Sequence, residues 1–316
     1  MEAWLDFRPP FWARGAHFQT MLGTLTRSYK NPKEEETWTF DIDDKVSLRG
    51  RFLEGRTKKL AILYHGLGGS FDSAYVMGAA FALRSIGFST LRMSLRGAET
   101  EPPYTPATYH SGLTEDIDIV MNEVQKRGFS EIYLLGFSLS GNLILKWLGQ
   151  GRKDIVKAMV VSPPVRLEAC ATRLEWPSNW IYQKYFMIKL KELFQHKVKL
   201  FPEVFQKYDS PQVYRGVRVF DEHVTSKIHG FKDSNDYYQR ASSYYDLGKI
   251  KNSVRVFHAE DDPMVDSEDL KADLRIAPSN VDLRLYPIGG HVGFYEGPPR
   301  GHLVDTWVQS YFGSTV

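Results

Sequence analysis

The chain of 316 residues is 42% apolar and 25% charged, with a formal net charge of +2, a composition that excludes disordered and fibrous classes. Its length allows one large α/β domain or two average ones. So even a balance of acids and bases leaves no basic footprint for nucleic acid, and the single cysteine, Cys170, excludes an internal disulfide or a multi-thiolate metal site.

The N-terminal "MEAWLDFRPPFWARG" lacks the charged start, apolar middle and small-residue cleavage site of a signal peptide. No apolar run reaches the roughly 18 to 20 residues that cross a bilayer. The expectation is a cytoplasmic protein with no transmembrane segment.

In chain order, "TWTFDI" and "VSLRGRFLE" flank the turn "DDK" and predict an antiparallel hairpin at a sheet edge. Strand-length runs rich in β-branched residues then alternate with helical patterns. "KLAILYHG" is followed by "SAYVMGAAFALRSIG", "FSTLRMSLRG" by "LTEDIDIVMNEVQKRG", and "EIYLLGFS" by "GNLILKWLGQG", before the strand "IVKAMVVSPP". After a long break come "SVRVFHAEDD", the helix "SEDLKADLRIA", "VDLRLYPIGG" and the helix "GHLVDTWVQSYF". This alternation predicts a mostly parallel sheet with helices on both faces.

The break is dense in Trp, Tyr, Phe and Lys and has helical periodicity. The expected division is a core of residues 1–165 and 249–316, with residues 166–248 inserted as a helical cap. Within "YFMIKLKELFQHKVKLF", Phe186, Leu190, Leu193, Phe194 and Val198 share one face, and Lys184, Lys191 and Lys199 are displaced from it. Two uses fit: a helix packed on the core with a solvated basic face, or a lid touching acyl chains or a membrane surface.

Chemistry in open parallel sheets gathers at the carboxyl ends of the strands. There, "YLLGFSLSGN" runs from an apolar strand through Gly-x-Ser into an apolar helix. Taken alone the stretch is also an ordinary turn, but it fits a nucleophile elbow. Ser138 has Gly136 two before it and Ser140 two after it, where strand and helix pass close and neighbours must be small. Ser140 is the rival, with no glycine at the corresponding position to permit the bend.

A serine hydroxyl needs an imidazole to take its proton and a carboxylate to orient the imidazole. The chain supplies them in the order Ser, acid, His. "HAEDDPMVD" offers Asp262, preferred over Asp261 because it lies at the turn into Pro263, and "PIGGHVGF" offers His291. The expected oxyanion donors are the backbone N–H groups of Leu139, at the helix start, and Leu67, in the glycine-rich "YHGLGGS". His65 in that loop reads as structural. No ligand spacing for a catalytic metal is present, and no cofactor is expected.

Beyond "HGLGGS" and "GFSLSGN", the stretches "PFWARGAHFQTM", "LRGA", "YHSGLTEDI", "FDEHVTSKIHGFKDSNDYYQRASS", "AEDDP" and "GGHVGF" resemble the YheT-like branch of the α/β-hydrolase superfamily over nearly the whole chain. Departures are Ser140 at the elbow glycine, Ala98 in the "LRGA" turn and Asp266 after the acid loop. The resemblance implies an α/β-hydrolase fold and a serine carboxylesterase or lipase acting on short- to medium-chain acyl esters of small molecules or lipids. It also implies acyl transfer to alcohols as an alternative with the same triad. A hydrolase-fold module kept for binding is the non-enzymatic alternative. Trp180, Tyr185 and Phe186 are the expected aromatic wall of an acyl pocket, and peripheral lipid contact would run through the cap. Nothing in the pattern sets an oligomeric state.

Overall fold

A computed structural model describes residues 7–25, 29, 32–152, 154–298 and 300–314. Eight strands form one sheet: β1 (Glu36–Asp41), β2 (Ser47–Leu53), β3 (Lys59–Tyr64), β4 (Ser89–Met93), β5 (Glu131–Phe137), β6 (Lys157–Val161), β7 (Ser253–Ala259) and β8 (Val281–Tyr286). Their order is β1-β2-β4-β3-β5-β6-β7-β8. The expected hairpin pairs antiparallel at one edge, and β2 meets β4 antiparallel. From β4 to β8 every pairing is parallel.

The helices used below are α1 (Ala16–Leu25), α2 (Ala74–Ser85), α3 (Glu115–Lys126), α4 (Leu139–Gly149), α5 (Leu167–Leu174), α6 (Trp180–Leu200), α7 (Ser234–Ala241), α8 (Ser267–Leu274) and α9 (Leu303–Gly313). Side chains alternate across a strand, so each central strand feeds two cores. Leu60 and Ile62 of β3 and Leu134 of β5 meet α3, α4 and α8 through Val120, Ile144 and Leu270. Ala61, Leu63 and Leu135 point the other way, onto Val76 and Ala79 of α2 and Val304 and Trp307 of α9. Burial on both faces explains why these strands are apolar throughout and not alternating.

Between β6 and β7 the chain runs through α5, α6, shorter turns, a π-helical turn at Asp221–Thr225 and α7. This stretch carries its own apolar cluster, in which Leu190, Phe194 and Val198 of α6 meet Phe205, Phe220 and Val224. Lys184, Lys191 and Lys199 face outward. Lys197 is instead fully buried. Its ammonium donates to Glu99 Oε2 at 2.7 Å and to Thr105 O at 2.8 Å, tying α6 to the loop after β4.

Helix α1 has no counterpart among the expected elements. It lies before the sheet in sequence, yet it docks against the loop after β8, where Gly23 approaches so closely that a Cβ there would sit 2.7 Å from Gly293 Cα.

Candidate active site

At the end of β5 the backbone turns sharply. Ser138 has φ 51° and ψ −118° immediately before α4 begins, a left-handed region that is costly for a residue with a side chain and is held only by its surroundings. Gly136 makes room for the bend, because a Cβ there would lie 2.6 Å from Ser140 O. Ser140 fits where glycine is usual because its hydroxyl, fully buried, donates to the carbonyl of His65.

His65 is a loop strut. Its Nδ1–H reaches Gly66 O at 2.8 Å, and its Nε2 accepts from Leu95 N at 3.1 Å. Burial lowers its pKa to about 4 against the upward pull of the Gly66 carbonyl, so the ring is neutral and holds one tautomer.

The structure brings Ser138, His291 and Asp262 together from three strand ends. Ser138 Oγ lies 2.8 Å from His291 Nε2, and His291 Nδ1 lies 2.8 Å from Asp262 Oδ2. Asp262 is buried, and its other oxygen accepts from the N–H groups of Met264 (2.8 Å) and Val265 (3.0 Å). Burial by itself raises this carboxyl's pKa. The His291 ring outweighs that by charge and hydrogen bond, with His258 and the Met264 N–H adding, and the net position is below the ordinary carboxylate range. Asp261 faces elsewhere: it accepts from Gly290 N at 2.8 Å and anchors the histidine loop.

That loop turns through left-handed φ at Gly290 (58°), where glycine adopts it freely, and is strained at Val292 (62°) and Phe294 (46°). Helix α1 supplies much of what holds it. The His291 N–H donates to Thr20 Oγ1 at 2.9 Å, and the Thr20 hydroxyl donates to Ala16 O at 2.8 Å. Gln19, fully buried, donates to Ala13 O (2.7 Å) and Tyr295 O (3.1 Å) and accepts from Tyr295 N (2.7 Å). Neither residue was legible as part of the site, because a polar side chain on a short helix gives no periodic signal and its partners lie more than 270 residues away.

His258 was also missed. It is fully buried behind Asp262, its Nε2–H donates to Val265 O at 3.1 Å, and its Nδ1 lies 3.7 Å from Asp262 Oδ2. Burial lowers its pKa against the attraction of that carboxylate.

Ser138 and His291 open onto a cavity of about 690 Å³ whose walls are largely apolar, among them Leu67, Ile181, Tyr185, Phe186 and Met264. Tyr185 and Phe186 line it. Trp180 does not: it is the first residue of α6, lies off the face that carries Ile181 and Tyr185, and is 61% exposed. Leu67 lines the same cavity as Ser138, and its neighbours' amides are engaged, Gly66 N to Tyr75 Oη and Gly68 N to Tyr109 Oη, both at 2.9 Å. Leu139 keeps its side chain in the core and presents its N–H at the first turn of α4, where helical amides have no partner within the helix.

A strand-to-helix elbow on a parallel sheet, with an acid and a histidine at later strand ends, defines a class. The chain belongs to the alpha/beta hydrolase fold family, whose profile it matches over residues 61–298. Among individual proteins it is 30% identical to "Putative esterase YheT" of Escherichia coli over 301 residues, 92% of this chain and 88% of that one. It is 29% identical to the phospholipase ABHD3 of Mus musculus over 78% of this chain and 61% of that protein, so it spans about three fifths of ABHD3. In structure it is similar to the Pyrococcus furiosus esterase Pf2001, with a TM-score of 0.61 at 16% identity over 98% of each chain, a likeness of fold.

Proposed function

We propose that this protein is a serine esterase that cleaves short- to medium-chain acyl esters through an acyl-serine intermediate. The observation that carries the reading is the pair of 2.8 Å contacts linking Ser138, His291 and Asp262 at the floor of an apolar cavity. The relatives' names, an esterase and a phospholipase, both describe ester hydrolysis and support it.

In this reading Ser138 Oγ attacks the ester carbonyl carbon while its proton passes to His291 Nε2. The carbonyl oxygen becomes an oxyanion held by the N–H groups of Leu67 and Leu139. The bond to the alcohol oxygen then breaks, and His291 returns its proton to that oxygen. Water repeats the sequence on the acyl-serine, giving the carboxylic acid and free Ser138. Asp262 stays ionised, orients His291 and offsets the positive charge the ring acquires. Residues 166–248 act as a cap, with α6 as one wall of the acyl-binding cavity.

A fluorophosphonate probe tests this directly. It is expected to modify Ser138, as mapped by mass spectrometry, with no labelling of Ser138→Ala and little of His291→Ala. Labelling of Ser140 in place of Ser138, or none in folded protein, would overturn the reading.

Thr20 has a defined part in it as a positioning residue. Thr20→Val keeps the shape and removes the acceptor for the His291 N–H. The loss of one such bond is expected to lower kcat about tenfold with KM little changed, and Thr20→Ser should restore it. A loss carried wholly by KM, or no rescue by serine, would show that Thr20 merely fills space.

A further inference from the structure

Large apolar side chains are exposed unevenly on this protein. Of the thirteen that are exposed among the described residues, nine fall in two stretches, residues 11–21 and 176–188. Phe11 is 83% exposed, Trp180 61% and Phe18 58%. Scattered single exposures need no explanation, but a concentration of them does.

The two stretches meet at the cavity mouth. His17 Nδ1 on α1 lies 2.7 Å from Tyr182 Oη on α6, and the two rings stack. Met21 of α1 and Ile181 and Tyr185 of α6 are exposed and also line the cavity, so the opening lies between these helices. Phe18 precedes Met21 by three residues, and Ile188 follows Tyr185 by three, spacings that extend each exposed face along its helix.

Charge on this rim is one-sided. Residues 7–25 contain no Asp or Glu, nor do residues 176–191, although the whole chain is nearly neutral. Arg14 and Lys184 are exposed there. Glu192, the acidic residue at the cavity's exposed edge, is held by Lys189 at 3.0 Å. Aromatic and aliphatic side chains interspersed with cations and poor in unpaired carboxylates are the composition of a surface that settles into the headgroup region of a bilayer. No helix among the described residues is long and apolar enough to cross one.

We propose that the rim formed by α1 and α6 docks on an anionic lipid surface, so that the cavity mouth opens directly against the lipid. Phe18, Trp180 and Ile188 enter the interface, and Arg14 and Lys184 meet the acidic headgroups. The proposal rests on the esterase reading for what then enters the cavity, but docking itself is measured without turnover.

The experiment is co-sedimentation of the full chain with vesicles of phosphatidylcholine alone or with about one third phosphatidylglycerol, alongside hydrolysis of a water-soluble acetate ester. Wild type is expected to bind the anionic vesicles preferentially. Phe18→Glu with Ile188→Glu should reduce the bound fraction about tenfold or more and leave soluble-ester hydrolysis unchanged, because neither side chain lines the cavity. Arg14→Gln and Lys184→Gln should each weaken anionic binding by roughly fivefold. Absence of binding to either vesicle, binding that ignores these substitutions, or equal binding to both compositions would overturn the proposal. So would a wild-type dimer in solution that Phe18→Glu dissociates, since a second copy would then cover the face. Vesicle binding without soluble-ester hydrolysis would instead count against the esterase reading alone.

Discussion

Ser138→Ala is expected to lower kcat/KM for ester hydrolysis by a factor of about 10⁴ to 10⁶, and His291→Ala by a similar factor. The magnitude follows from the geometry. Ser138 Oγ has one base within reach, His291 Nε2 at 2.8 Å, and that ring has one carboxylate, Asp262, on its far nitrogen. A hydroxyl without its base is a poor nucleophile at neutral pH, and a base without the hydroxyl has nothing to activate. The double variant should therefore be no slower than Ser138→Ala alone. Steady-state kinetics on all three proteins decides the matter, and losses that multiply in the double variant would mean that the two residues act separately. Asp262→Asn belongs to the same series, with an expected loss of about 10⁴, because an amide that donates where the carboxylate accepted favours the wrong tautomer of His291.

Lys197→Met should cost about 3 to 5 kcal/mol of folding stability, far more than any exposed ion pair in the molecule. Lys197 and Glu99 are each nearly sealed from water. Glu99 is surrounded by donors: Lys197 Nζ at 2.7 Å on one oxygen, and Thr105 Oγ1 at 2.8 Å and Gly97 N at 3.2 Å on the other. Burial pulls the Lys197 pKa down, and the charge and hydrogen bond of Glu99 offset that only in part, so the net position is lowered. Methionine would leave a carboxylate in a low-dielectric site with its counter-charge gone. Adding Glu99→Gln should recover most of the loss, since the pair's own net contribution is small once both desolvation penalties are removed. Denaturant titration of the single and double variants gives the coupling, and a loss below about 1 kcal/mol for Lys197→Met, the range of surface pairs, would refute the argument.

The central parallel strands were readable because burial on both faces imposes a nearly continuous apolar run, as in "KLAILY" and "YLLGF", and the antiparallel edge hairpin was readable from two short runs flanking a turn. The elbow was readable for a local reason, since only Gly136 allows strand and helix to come so close. Asp262 could be chosen over Asp261 from the turn into Pro263, and each carboxylate has its own partner, His291 for one and Gly290 N for the other.

What resisted reading depends on partners distant in sequence. Lys197 sits among other lysines on an amphipathic helix and looks solvated until Glu99, 98 residues earlier, is seen against it. Trp180 suggested a pocket wall by composition, but the rotation of α6 turns it outward. Thr20 and Gln19 have no signature of their own, because their meaning lies in the loop after β8.

The seating of α1 against that loop also orders events during synthesis. A chain leaving the ribosome grows from its N-terminus, so Thr20 and Gln19 are made some 270 residues before the loop they hold. When β7 has been made His291 has not, so at that point the Ser138 hydroxyl has no base. His291 arrives late, on a loop whose left-handed turns need α1 beneath them. On the esterase reading, the nucleophile therefore stays disarmed while the 153 residues that separate it from its base are made, and only the docking of this loop on α1 completes the triad.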